Sequence, residues 1–164
     1  MKEIRIQDLF NYINPFDLEN NPAIVMCSDT KITNGMTIGW AQFGILWRKY
    51  SATVYIHKQR FSKQILDKAN YFAICFMKKE HQDIVKYFGT VSYRDDDKVA
   101  KCGLEVINDN APYFKESEVV IICKKMGQSD FDKNNVDESV KSWYQKNGVH
   151  SQYYGEIIKV LVKD

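Results

Sequence analysis

Apolar residues in this chain come in short runs, none longer than ten residues, and that spacing restricts the fold more than any other feature. The runs are 23–28 (AIVMCS), 51–57 (SATVYIH), 71–77 (YFAICFM), 118–124 (EVVIICK) and 153–162 (YYGEIIKVLV). Their length and β-branched or aromatic content suit strands. With the stretch Thr33–Gly44 they make at least six. Helical spacing is confined to short pieces. Ser62 is the expected N-cap of a helix reaching Asn70, with Ile65, Leu66 and Ala69 on one face. A second is expected from Glu80 to Phe88, stopped by Gly89. Asp95 caps a short third piece carrying Val99, Ala100 and Cys102, and a fourth spans Val136 to Lys146. Residues 105–116 show little pattern. No regular βαβ alternation and no GxGxxG or GxxxxGK[ST] phosphate loop occurs. The expected fold is mainly β (α+β): an antiparallel barrel with short peripheral helices, in one domain over 1–164.

The 164 residues are 45% hydrophobic and 13% aromatic, a globular composition able to bury a core. A net charge of +2 lacks the clustered basic excess of a nucleic-acid binder. Cys27, Cys75, Cys102 and Cys123 are far apart, with no CxxC pair and no zinc spacing, so no metal site is expected. The N-terminus MKEIRIQDLF has no apolar h-region, and no window is apolar enough to cross a membrane. The expectation is a cytoplasmic protein with neither membrane nor nucleic-acid partners.

Chemistry concentrates in three places. Thr33–Gly44 mixes three glycines with a Trp and several hydroxyl and amide groups. It reads either as a strand opening into a binding loop, where Gly admits close approach, or as a hairpin turning at Asn34-Gly35. Arg60-Phe61-Ser62 follows a strand, and its guanidinium and hydroxyl suit an anion; the plainer reading is a solvated Arg and a simple cap. Ser92–Lys98 is either a solvated charged turn or a second arm over the same ligand. Trp40, Phe43 and Trp47 form an aromatic group, either packing or a wall for a planar ring. Of the histidines, His81 reads as solvated and His57 as structural. His150, just before the last strand, is placed for proton transfer or for packing.

Taken in order, Asn34–Trp40, Leu46–Lys49, Ala52–Ile56, Arg60–Ser62, Phe88–Lys98 and Tyr154–Ile157 resemble the flavin reductase-like family with its FMN-binding split β-barrel, in particular its flavoredoxin-like branch. The resemblance runs from about Asn14 to the C-terminus. It implies that Thr37, Ile38, Gly39 and Trp40 line the flavin ring, and that Arg60 and Ser62 meet the phosphate. It also counts Asn34, Met36, Ala52, Tyr55, Phe61, Ser92 and Arg94 among the cofactor contacts and His150 near the active centre. Tyr93 stands where the family's Ser-Gly-Arg-Asp pattern has Gly. The implied protein is a homodimer that takes electrons from NADH, NADPH or a protein donor and passes them through FMN to an acceptor. The last strand, Trp47 and Trp143 would supply the dimer surface. Two other readings stay open: a non-catalytic barrel holding flavin or haem as carrier or sensor, and an OB-like single-strand binder.

Overall fold

The computed structural model describes residues 1–163. Among these residues ten strands and four α-helices follow one another. They are β1 (Lys2–Ile4), β2 (Ala23–Ser28), β3 (Thr33–Ile38), β4 (Ala41–Leu46), β5 (Lys49–His57), α1 (Phe61–Leu66), β6 (Tyr71–Met77), α2 (Gln82–Thr90), α3 (Lys98–Lys101), β7 (Val106–Asp109), β8 (Ala111–Phe114), β9 (Ser117–Asp130), α4 (Glu138–Asn147) and β10 (His150–Val162).

The main sheet is antiparallel and runs β3-β2-β6-β9-β10-β5-β4, with β1 added to the end of β10. Strand β10 changes partner along its length. Its first half (His150–Glu156) pairs with β5 and its last residues (160–162) with β1, while β9 follows it on the other side. Register shifts at Tyr154/Gly155 and Ile157/Lys159 accompany the change, as bulges do where a sheet must curl. Strands β3 and β4 occupy opposite ends of this path, although only Gly39 and Trp40 separate them in sequence. No ladder joins them among the described residues, so the barrel is split rather than closed.

The apolar runs are continuous because both faces of the central strands are covered. One face of β6, Phe72 and Ile74, packs inside the barrel with Val54, Ile56, Ile121 and Tyr153. The other, Ala73 and Cys75, packs with Ile24, Met26 and Ile122 under Val85 and Phe88 of α2 and Phe114 of β8. All four cysteines are free. Among the described residues no helix is long and apolar enough to cross a membrane.

Several expectations need correction. Asn34-Gly35 is not a turn: Asn34 pairs with Cys27 and Gly35 with Met26 inside the β2–β3 ladder. Gly35 is there for room, since a Cβ would lie 2.4 Å from Met26 Sδ and 3.2 Å from a ring carbon of Phe88. The tight two-residue turn is Trp47-Arg48, at φ 51° and 62°, between β4 and β5. Residues 105–116 contain the β7–β8 hairpin, turning at Asn110. Helix α1 ends at Leu66, and Arg60, not Ser62, is its N-cap. Gly89 lies inside α2, where a Cβ would press on Thr37 at 3.3 Å. Asp97, not Asp95, caps α3. The last strand lies inside the sheet, paired by β9 on one side and by β5 and β1 on the other.

Candidate functional site

The split holds a cleft of about 500 Å³ bounded by β3, the start of α1, the loop 91–97 and the end of α4. Each wall has a local cause. Strand β5 ends at His57, and a turn closed by Arg60 N–H to the His57 carbonyl (3.0 Å) delivers Arg60 to the cleft. Its Nη1 donates to the Gly89 carbonyl at 2.7 Å. Asp97 accepts from the Ala100 N–H and starts α3, which turns Lys98 inward. Lys98 is 2% exposed. Its Nζ donates to the carbonyls of Gly35 (2.9 Å) and Phe88 (3.2 Å). Burial, with Arg60 nearby, brings its ammonium down to about 8.

Across the mouth, Tyr93 stacks on Phe61 with ring centroids 4.9 Å apart and planes 21° apart. The Arg94 guanidinium carbon lies 5.4 Å from the Phe61 centroid, and Ser92 Oγ accepts from the Arg94 N–H. Loop 92–97 is thus fastened to the start of α1 by an aromatic pair. The bulky ring at 93 is the loop's half of that pair.

The inner wall is aromatic. The Trp40 ring centroid is 4.6 Å from that of His150 and 5.3 Å from that of Trp143 on α4; His57 lies 5.1 Å from His150. Helix α4 is fixed here by His57 Nε2, 2.6 Å from the Asn147 carbonyl. That approach requires Gly148, at φ 77°, where a Cβ would sit 2.7 Å from the same nitrogen. His150 Nδ1 is buried without a hydrogen-bond partner, as is Asn34 Oδ1. Burial first, then His57 and Arg60, lowers the His150 imidazole to about 4, so it is neutral at pH 7. A pocket of about 130 Å³ runs from this wall along 36–40 to Tyr55. Beyond Trp40 lies a second cavity of about 450 Å³ walled by Tyr55, Phe131 and Tyr144.

The fold therefore brings Asn34, Met36, Arg60, Phe61, Ser62, Ser92, Arg94 and His150 around one cleft, and Thr37, Ile38, Gly39, Trp40 and Tyr55 around the pocket joined to it. Ala52 is elsewhere: it is wholly buried in β5 between Phe43 and Gly155. Two hydroxyls are already engaged. Ser62 Oγ accepts from Asn34 Nδ2 at 2.9 Å, and Thr37 Oγ1 donates to the Val85 carbonyl. The expected aromatic group disperses: Phe43 packs on Phe10 and Trp47 on Tyr154, leaving only Trp40 at the site. Lys98, His57, Trp143 and Asn147 line the cleft without having been singled out for it. Lys98 stood at the end of the charged run Ser92–Lys98, which reads either as a solvated turn or as a second arm over the ligand, with Ser92 and Arg94 as its named contacts. The other three come together only when α4 docks.

A model of the flavin reductase like domain matches residues 17–164. No curated protein matches the sequence. Among solved structures, the chain is similar to flavoredoxin from Methanosarcina acetivorans (TM-score 0.71, 17% identity, covering 88% of this chain and 69% of that one). It is likewise similar to flavoredoxin of Desulfovibrio vulgaris (Miyazaki F) (0.68, 22%, 87% and 69%). A third such structure is an FMN-binding protein from Thermus thermophilus (0.69, 20%, 86% and 69%). These likenesses show a shared split-barrel fold.

Proposed function

The chain belongs to the flavin reductase-like family, and we propose that it is an FMN-binding oxidoreductase whose split holds the flavin. In this reading it takes electrons from NADH or NADPH, or from a protein donor, and delivers them to an acceptor. One observation carries the reading. A cleft lined by three cations, Arg60, Arg94 and Lys98, and among the described residues by no carboxylate opens onto an aromatic wall containing an orphaned imidazole nitrogen.

The residues fit the group. FMN has an anionic end, a chain of hydroxyls and a flat conjugated ring. Arg60 at the cleft answers the anion, since guanidinium–phosphate bonds are charge-assisted and strong. Asn34 Oδ1, buried without a donor, answers a hydroxyl. Trp40 and the backbone of 37–39 border the ring's pocket, where peptide N–H groups favour negative charge. Flavin supplies the hydride and electron chemistry at its own ring, while protein groups bind and tune it.

His150 has a narrower role than an acid. Neutral at pH 7, it accepts or donates one hydrogen bond at Nδ1 and excludes water together with Trp40 and Trp143. Arg94, at the mouth, orients the second substrate. For the proposed homodimer, exposed Ile45, Trp47 and Tyr50 around the β4–β5 turn offer apolar surface.

The test is anaerobic mixing of the FMN-loaded chain with NADH and with NADPH while flavin absorbance is followed. Bleaching by either nucleotide at a catalytic rate supports a reductase and identifies its donor. Bound flavin that neither nucleotide nor a protein donor reduces would overturn the enzymatic reading in favour of a carrier.

A further inference from the structure

We infer that the cavity beyond Trp40 is a second ligand site, separate from the cleft, for an uncharged planar aromatic compound carrying a carbonyl oxygen. The inference goes beyond the flavin reading and does not rest on it.

The cavity follows from how the chain crosses the split. Only Gly39 and Trp40 separate β3 from β4. The segment 15–19 packs against them, with the Leu18 carbonyl 3.7 Å from where a Gly39 Cβ would be. Phe131, just after β9, stacks on Tyr55 of β5, with ring centroids 5.7 Å apart and planes 23° apart. Tyr144 of α4 extends that wall, its ring 6.0 Å from Phe131. These elements leave about 450 Å³ between them, within the roughly 300–1,000 Å³ of sites for small organic ligands. Trp40 divides this space from the pocket at 36–40. It borders both, and its ring packs on Trp143 and His150.

The lining sets the chemistry of the ligand. Its walls are rings, which favour a flat conjugated partner by stacking or edge contact. Two phenols are unspent: neither the Tyr55 nor the Tyr144 hydroxyl bonds to a described residue. Both residues line the cavity, and Tyr144 is only 6% exposed, so a donor left unanswered there is costly. Burial first, and for Tyr55 also the phenols of Tyr154 and Tyr144, raises both pKa values, so both hydroxyls keep their protons near neutral pH. A carbonyl oxygen accepts two hydrogen bonds, one from each phenol.

Charge and the rim complete the description. Among the described residues, Glu19 is the one charged member of this lining, whereas the cleft is lined by cations. An anion is disfavoured here and an uncharged compound admitted. Phe16 stands at the rim on the 3₁₀ turn Pro15–Asp17, held there by Asn14 Oδ1, which accepts its N–H at 3.1 Å. Its ring is 96% exposed and gains apolar cover when a flat molecule enters.

The test is equilibrium dialysis of the chain, without and with saturating FMN, against three naphthalenes of similar shape. They are 2-acetylnaphthalene, 2-ethylnaphthalene, which lacks the oxygen, and 2-naphthoate, an anion. The ketone should bind about 3- to 10-fold more tightly than the ethyl compound, the range for one net hydrogen bond, and more tightly than the naphthoate. These comparisons need no variant to fold. In Y55F/Y144F, which keeps both rings, the ketone's advantage should disappear while the ethyl compound binds as before. Saturating FMN should leave the ketone's affinity unchanged. Equal binding of ketone and ethyl compound by the unaltered chain, tightest binding of the naphthoate, or an advantage that survives in Y55F/Y144F would overturn the inference. Displacement of the ketone by FMN would overturn it too and give the cavity to the flavin. Binding of none of the three would do the same; self-association that F16A weakens would then give the cavity to a second copy. A chain that takes the ketone but no FMN would overturn the flavin reading and leave this inference standing.

Discussion

Arg60 Nη1 donates to the carbonyl oxygen of Gly89 at 2.7 Å, so the guanidinium is aimed before any ligand arrives. This bond fixes the side chain across the base of the cleft and leaves its remaining N–H donors for an anion. Replacing Arg60 with Ala should weaken FMN binding by about 1.5–3 kcal/mol. Fluorescence titration of FMN checks this. The unfolding midpoint should move little, because the Gly89 carbonyl sits in the last turn of α2, where water can serve it.

His150 couples the site to pH. Its imidazole stays neutral down to about pH 4 in the folded chain and is faced by His57 on β5, by Arg60 and by the rings of Trp40, Trp143 and Tyr144. In the unfolded chain the same group takes its proton near pH 6.5. The unfolded state therefore binds more protons between these values, and stability falls as pH drops through the window. Between pH 7 and 5 this loss should be roughly 1–2 kcal/mol smaller in H150F, read from denaturant melts of the flavin-free chain. Equal losses in the two chains would contradict the burial of His150.

Gly35 and Gly44 should respond oppositely to alanine. A Cβ at 35 meets Met26 Sδ at 2.4 Å and Ile24 Cγ2 at 3.1 Å in a filled core, whereas at 44 it meets nothing within 4 Å. G35A should cost about 1–3 kcal/mol by overpacking, and G44A should stay within about 0.5 kcal/mol. Chemical denaturation of both variants decides it.

Helix α4 depends on Gly148. Alanine there faces the φ of 77° and His57 Nε2 at 2.7 Å. G148A should release the end of α4 from His57, costing about 1–3 kcal/mol from backbone strain. Limited proteolysis should then cut the segment 131–149 faster, and Trp143 fluorescence should shift toward that of a solvated indole.

The order and nature of the strands were legible because period and β-branching are local: β2, β5, β6 and β10 coincide with apolar runs. What sequence left open depended on tertiary room. Asn34-Gly35 carries strong turn chemistry, yet it lies in a ladder because Met26 and Phe88 need the missing Cβ. Trp47-Arg48 carries none, yet it forms the tight turn. At the site, Arg60 and residues 36–40 stood out by composition, but Lys98 did not. A lysine behind three aspartates reads as solvated until α3 turns it inward. Ala52 looked like a contact because it lies in a matching segment, but its side of β5 faces the core.

The most direct measurement is a titration of FMN with the purified chain, following both the flavin spectrum and tryptophan fluorescence. A flavin held in the split beside Trp40 and Trp143 should give a saturable change in the flavin bands with quenching of the tryptophans. An FMN spectrum that stays that of the free molecule, with tryptophan emission unaltered at saturating flavin, would contradict a flavin site in this cleft.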